Sequence, residues 1–270
     1  MAELLQRRSA IEFHRPNAGE DLIHFAGLYK AFGTKRLYED LELTVRAGET
    51  LTVIGGSGSG KSVLLKCLIG LMYPDRGEIF FEGHDVMQFN DEQFLQVRRR
   101  VAMVFQGSAL FDSLSVGENI AYPLREHFPT MSPEEVRERV AHKLSLVNLP
   151  GIEQMRPSDL SGGMRKRVGL ARAIATDPEV ILWDEPTTGL DPISVRVIDG
   201  LINSMKKQLG CTSIVVTHDM ESAFAVSDRI AMLANRRVVQ VGTVEEMKAS
   251  RVREVRAFLD ARFGSQRASA

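Results

Sequence analysis

"TLTVIGGSGSGKSVLLKCLIGLM" runs from Thr50 to Met72. Its first residues, Thr50 to Ile54, are β-branched and apolar, and they predict a strand. Its last residues, from Ser62, are rich in leucine and isoleucine and predict a helix. Between them Gly55 to Ser62 fit the pattern G-x-x-x-x-G-K-[ST]. A glycine-rich turn alone means little, but one set between a strand and a helix reads as a phosphate loop. Glycines let successive N–H groups curl around phosphate oxygens, and the helix N-terminus adds a positive dipole end. On this reading Gly55, Gly56, Ser57, Gly58, Ser59, Gly60 and Val63 surround the phosphates. Lys61 reaches the β- and γ-phosphates, and Ser62 ligates Mg²⁺.

The same alternation continues outward. "EIFFEG" and "RVAMVFQ" read as short strands. "VILWDE" (Val180 to Glu185) and "TSIVVTH" (Thr212 to His218) are apolar runs of the kind buried on both faces of a sheet. Helices are expected from Gly162 to about Thr176 and from about Ser194 to Gln208. That order implies an α/β fold with a parallel sheet covered by helices. The middle, about Leu114 to Pro157, differs: Ser132 and Pro133 start a helix, and a small helical subdomain is expected there. "REVRAFLDARF" suggests a short amphipathic helix, and the closing "GSQRASA" suggests disorder.

The chain has 270 residues with a formal charge of −1, which gives no general electrostatic case for binding nucleic acid. Cys67 and Cys211 lie far apart without metal spacing, so both are expected as small buried residues in a reducing compartment. No run approaches the roughly 18 apolar residues of a membrane span, and the N-terminus lacks a signal-type core. A cytoplasmic protein is expected, and any work at a membrane would need other subunits to cross it.

Two further clusters carry chemistry. Asp184 and Glu185 end an apolar strand. Asp184 is placed to hold Mg²⁺ through water, and Glu185 to orient or deprotonate an attacking water. His218 ends another strand, and strands of one parallel sheet open on the same side, where ligands collect. "LSGGMRKRVGLARAIA" (Leu160 to Ala175) puts Ser161, Gly162 and Gly163 where a helix begins. Glycine weakens a helix, so the pair suggests that a phosphate of another molecule approaches the bare backbone. A plain helix cap at Ser161 is compatible with this but accounts for one small residue only. The other histidines, His14, His24, His84, His127 and His142, show no pairing or metal spacing and read as surface or packing residues.

Taken together the motifs resemble the ATP-binding subunits of ABC transporters, over roughly Leu22 to Met247. The signature "LSGGM" departs from the family at Met164, where glutamine or a similar polar residue is usual. The resemblance implies a P-loop NTPase fold with a mainly parallel core sheet, an N-terminal antiparallel β part and an inserted helical subdomain of about 108–172. It divides the chain into an ATPase domain of 21–250 with extensions at 1–20 and 251–270. It implies that Phe32 stacks on adenine and that Gln106 senses Mg²⁺ and faces a membrane partner. Asp191 would cross a dimer interface, and His218 would contact the γ-phosphate. ATP, Mg²⁺, a second copy of the chain and membrane permease subunits follow from the same resemblance.

Finer likeness points to lipids. "FQGSALFDSLSVGENIAYPLREH", "LSGGMRKRVGLARAIA" and "DEPTTGLDPIS" are similar to the ATPases of Mce and Mla systems, which handle phospholipids, sterols or related compounds between bacterial membranes. That likeness implies a place on the cytoplasmic face of the inner membrane, an Mce-domain lipid-binding protein and a small regulatory subunit. Transport of another solute is the alternative. A soluble ABC-type ATPase would usually show a long coiled-coil insertion or two fused units. A P-loop kinase would leave Ser161 to Gly163 and His218 without a role.

Overall fold

A computed structural model describes residues 11–267, with side-chain surroundings through residue 261. The first ten residues of the expected N-terminal extension and the last three of the C-terminal one lie outside the described residues.

A hairpin opens the fold. β1 (Asp21–Phe32) and β2 (Lys35–Arg46) pair antiparallel, and Phe32 faces Lys35 across the turn. Leu41, Leu43 and Val45 of β2 alternate inward, as expected of a strand with one buried face. β3 (Thr50–Gly55) is buried throughout and leads into α1 (Lys61–Leu68). β4 (Arg76–Phe81) and β5 (His84–Asp85) extend the hairpin to a four-stranded antiparallel sheet in the order β2-β1-β4-β5. α2 (Asp91–Arg100) starts in a capping box between Asn90 and Gln93 and runs into β6 (Val101–Val104).

Three helices then form the inserted layer: α3 (Val116–His127), α4 (Pro133–Leu146) and α5 (Gly162–Ala173). Ser132 caps α4 and Pro133 opens it, so the start read from sequence is the start observed. β7 (Val180–Asp184), α6 (Pro192–Leu209), β8 (Thr212–Val216), α7 (Met220–Val226), β9 (Arg229–Ala234), β10 (Arg237–Gly242), α8 (Val244–Lys248) and α9 (Arg253–Arg267) complete the chain. The central sheet has six strands in the order β10-β9-β3-β8-β7-β6, parallel except for β10. β3, β8 and β7 are therefore neighbours, and their C-terminal ends open along one edge.

Two apolar cores flank that sheet. One joins β3 and α1 to the antiparallel sheet through Phe25, Leu51, Leu64 and Phe81. The other joins β7 to the inserted helices and α6 through Trp183, Leu170, Ile120 and Ile202. The buried Trp183 indole donates to Ser213 Oγ at 3.2 Å, so its one polar group has a partner. Cys67 and Cys211 are fully buried, and burial pushes their thiols up to about 12 and about 11. Neither is poised as a thiolate.

One expectation fails: Gly264–Arg267 continue α9, where the sequence suggested disorder. His24 stays at the surface and lies 3.0 Å from Glu42 across the hairpin, a contact its 18-residue sequence separation hides.

One buried polar side chain braces the route from the core sheet into the helical layer. Asn119 is fully buried in α3 and donates to the carbonyls of Phe111, Leu114 and Ser115 at 3.1, 3.2 and 2.9 Å. Its Oδ1 accepts from Phe111 N at 2.8 Å. Asn119→Ala removes the side-chain partner of Phe111 N and Leu114 O, while Phe111 O and Ser115 O keep backbone donors, and it is expected to lower stability by about 2 kcal/mol. Urea unfolding reads this directly, and a midpoint equal to wild type would contradict it.

Candidate functional site

The loop between β3 and α1 is shaped by close approach. A Cβ on Gly55 would stand 2.4 Å from the carbonyl oxygen of Leu233, and one on Gly60 would stand 2.8 Å from the Tyr38 ring. Gly60 also adopts φ 104°, which L side chains rarely reach. Tyr38 donates its hydroxyl to Gly60 O at 2.5 Å and so fixes the loop from behind. Lys61 is only 6% exposed, and its Nζ donates to the carbonyls of Gly55 and Gly56 at 3.0 and 3.3 Å. Burial holds this ammonium below the usual lysine range, opposed by the charges of Glu185 and Asp184. Ser59 Oγ is buried without a protein partner.

The acids close the site from the neighbouring strand. Ser62 Oγ donates to Asp184 Oδ1 at 2.5 Å, joining the start of α1 to the end of β7. Glu185 sits at φ 49°, 4.0 Å from Lys61 Nζ. Its Oε2 accepts from Thr188 Oγ1 at 3.0 Å and lies 2.7 Å from His218 Nδ1. Lys166, on α5, donates its Nζ to the carbonyls of Pro186 and Thr188 at 2.8 Å each and to that of Glu185 at 3.4 Å.

Gly60, Lys61, Ser62, Glu185 and His218 border one open cavity of about 440 Å³, whose wall does not include Gly55, Gly56, Ser59 or Asp184. Of the residues singled out in the sequence, it brings together Phe32, Ser57, Gly58, Gly60, Lys61, Ser62, Val63, Gln106, Glu185 and His218. Phe32 is 46% exposed, with Lys30 Nζ 5.2 Å from its ring centre. Lys35 and Leu37 complete the wall and had not been singled out. Their signal was position alone, since they follow Phe32 across a tight hairpin. Lys166 and Tyr38 had no local signal, because each meets the site through a long-range contact, whereas Thr188 bonds to Glu185 only three residues away.

Ser161, Gly162, Gly163 and Asp191 do not line this cavity. Ser161 Oγ caps α5 by accepting from Met164 N at 3.2 Å. Asp191 caps α6 and also accepts from Ser194 Oγ at 2.6 Å. A Cβ on Gly163 would stand 2.9 Å from Ser194 Oγ, a side-chain end that would have to shift, so packing within the chain adds a reason for a small residue there. At Gly162 the nearest atom is Leu190 Cδ2 at 3.9 Å, and the chain itself leaves room for a side chain.

A glycine-walled loop with a buried cation, a hydroxyl–carboxylate pair, and a glutamate beside a histidine, all on one edge of a parallel sheet, define a P-loop ATPase. The ABC transporter family matches residues 38–188, and the chain belongs to that family. It binds ATP and hydrolyses it, and the hydrolysis is coupled to transport. The chain is 42% identical over 240 residues to the probable ribonucleotide transport ATP-binding protein mkl of Mycobacterium tuberculosis, covering 89% of this chain and 67% of that one. It is 42% identical over 241 residues to the intermembrane phospholipid transport system ATP-binding protein MlaF of Haemophilus influenzae, covering 89% of this chain and 90% of the relative. Among solved structures, the dimeric post-hydrolysis state of the ATP-binding cassette MJ0796 bound to ADP and phosphate superposes with a TM-score of 0.76 at 30% identity, over 83% of this chain and 99% of that one.

Behind His218 lies a pair of acids. Asp219 caps α7, and Ser222 Oγ is shared between Asp199 Oδ2 at 3.1 Å and Asp219 Oδ2 at 3.4 Å. Burial raises the Asp199 carboxyl to about 6; the Ser222 hydrogen bond opposes this and the Asp219 charge adds to it. The folded value exceeds the unfolded one, so the stabilisation is complete below the ordinary carboxylate range and is lost as pH rises through about 6. Asp199→Asn cannot ionise, and its urea midpoint is expected to gain on wild type between pH 5 and pH 7.5. A difference that does not change with pH would contradict this.

Proposed function

We propose that this chain is the ATPase of a bacterial phospholipid transport system and works as a pair of copies beneath a membrane permease. One observation carries the pairing: Ser161, Gly162, Gly163 and Asp191 neither line the cavity nor bond to a residue that does, whereas Gly55, Gly56 and Asp184, also off its wall, are tied to Lys61 and Ser62. A helix start with open space at Gly162 is suited to receive a phosphate from a second copy. The dimeric state of the MJ0796 cassette supports the same arrangement.

In this reading Phe32 stacks on adenine, the Gly55 to Ser62 loop and Val63 wrap the phosphates, and Lys61 balances their charge. Ser62 and Asp184 present two oxygen donors side by side, which suits Mg²⁺, with Gln106 on the same cavity wall. Among the described residues no three acids, histidines or cysteines form a metal cage, so the remaining positions fall to phosphate and water. When bound, Mg²⁺ supplies charge neutralisation on the phosphate oxygens. Glu185 takes a proton from water as its oxygen attacks the γ-phosphorus and the bond to the ADP oxygen breaks. His218, 2.7 Å from the Glu185 carboxylate, holds that group and faces the γ-phosphate. Loss of the bridging phosphate releases the pair. ATP drives motion only by favouring the closed pair over the open one.

Exposed Leu71, Phe111 and Tyr122 border an open groove of about 430 Å³ between the core sheet and α3. This groove is the seat for a permease helix, which would hold the chain at the cytoplasmic face of the inner membrane. The match to MlaF along 90% of that protein favours phospholipid as cargo over the ribonucleotide of the mkl name. An Mce-domain lipid-binding protein and a small regulatory subunit complete the proposed assembly.

Glu185→Gln is expected to bind ATP and remain a dimer through gel filtration in Mg-ATP, whereas adding Ser161→Arg returns it to monomer. Dimerisation unaffected by Ser161→Arg would refute the composite site. Affinity purification of the tagged chain from membranes is expected to bring down a permease with bound phospholipid, seen by mass spectrometry. A permease carrying nucleotide and no lipid would overturn the cargo assignment.

A further inference from the structure

We propose that Lys166 is a positioning residue for hydrolysis: it ties the helix start that receives the partner copy's nucleotide to the loop that carries this copy's own Glu185. The inference rests on the reading above, in which Glu185 acts on the attacking water.

Lys166 lies on α5, a little over one turn beyond the Ser161 cap. An ammonium has three donors, and here they meet three carbonyls of one short loop: Pro186 and Thr188 at 2.8 Å and Glu185 at 3.4 Å. That loop needs holding. Glu185 has φ 49°, a conformation that persists in a residue with a side chain only where its surroundings over-determine it. The same loop sets the carboxylate, because Thr188 Oγ1 donates to Glu185 Oε2 at 3.0 Å. The path is continuous: Lys166 fixes the Thr188 backbone, Thr188 fixes one carboxylate oxygen, and His218 meets that oxygen from β8. Burial lowers the Lys166 ammonium, and the Glu185 charge opposes that shift.

The helix is the shared part. In the proposed pair its first residues, Ser161 to Gly163, face a second copy, and Lys166 lies on the same helix. A phosphate docking on the helix start therefore moves or locks the loop around Glu185. Each nucleotide would set the geometry at the other site.

The test uses the full chain, with phosphate release measured against ATP concentration and melting temperature measured in parallel. Lys166→Met is expected to lower kcat by about tenfold or more with KM for ATP within about twofold of wild type. Lys166→Arg, which restores donors, should recover most of the rate. Thr188→Val cuts the same path one bond later, so the double variant Lys166→Met with Thr188→Val should lose less than the product of the single losses. Unchanged kcat in Lys166→Met overturns the proposal, and so does a loss that tracks melting temperature, resists arginine and multiplies with Thr188→Val. If Lys166→Met does not fold, Lys166→Gln gives the same kcat and KM comparison. Glu185→Gln separates the two readings. Full turnover in that variant sinks the role of Glu185 itself, whereas a dead Glu185→Gln beside a normal Lys166→Met sinks only the present inference.

Discussion

A buried ammonium with bare backbone around it is the constraint on which the rest of the molecule depends. Lys61 is almost fully buried and bonded only to two loop carbonyls, with its nearest carboxylate 4.0 Å away. Such a group is costly to bury without an anion close by. The neighbouring glycines keep side chains out of the space an anion needs. A parallel sheet supplies the setting, because β3, β8 and β7 deliver the loop, His218 and the two acids to one edge. The apolar cores on both faces make that edge rigid.

The proposed pairing would divide the chemistry between two copies of the chain. The cavity gathers the phosphate loop, Gln106, Glu185 and His218, while the Ser161 to Gly163 segment stands apart on the helical layer. Within the chain, Ser161 and Asp191 already serve as helix caps, and Gly163 already answers to Ser194. Their structural duties do not conflict with a second role, since each leaves the helix start bare. Gly162 alone among them has no reason inside the chain to be glycine. Lys166 links these two halves, from the helix start to the loop after β7.

The parts legible in sequence were those whose signal is local. The phosphate loop, the acids after β7 and the Ser132 cap of α4 each declare themselves within about ten consecutive residues. The parts that escaped depend on contacts between distant segments. Tyr38 reaches Gly60 from the hairpin, Lys166 reaches a loop about twenty residues further on, and Asp199 owes its raised carboxyl to burial in the folded chain, with the Asp219 charge adding to it. The glycine at position 163 was legible, but its close approach to the Ser194 side chain was not, because Ser194 enters from α6. The antiparallel hairpin of β1 and β2 followed from the family resemblance and not from a local pattern. Its register shifts repeatedly, which breaks the alternation a strand would otherwise show.

If two copies must close on each nucleotide, ATP turnover per chain cannot be a property of the single molecule. The direct measurement is specific ATPase activity of the isolated chain across dilution, alongside its mass by light scattering. Activity per chain is expected to rise with concentration as pairs form and to level off once pairing is complete. Constant activity per chain in a range where light scattering finds only monomer would contradict the account.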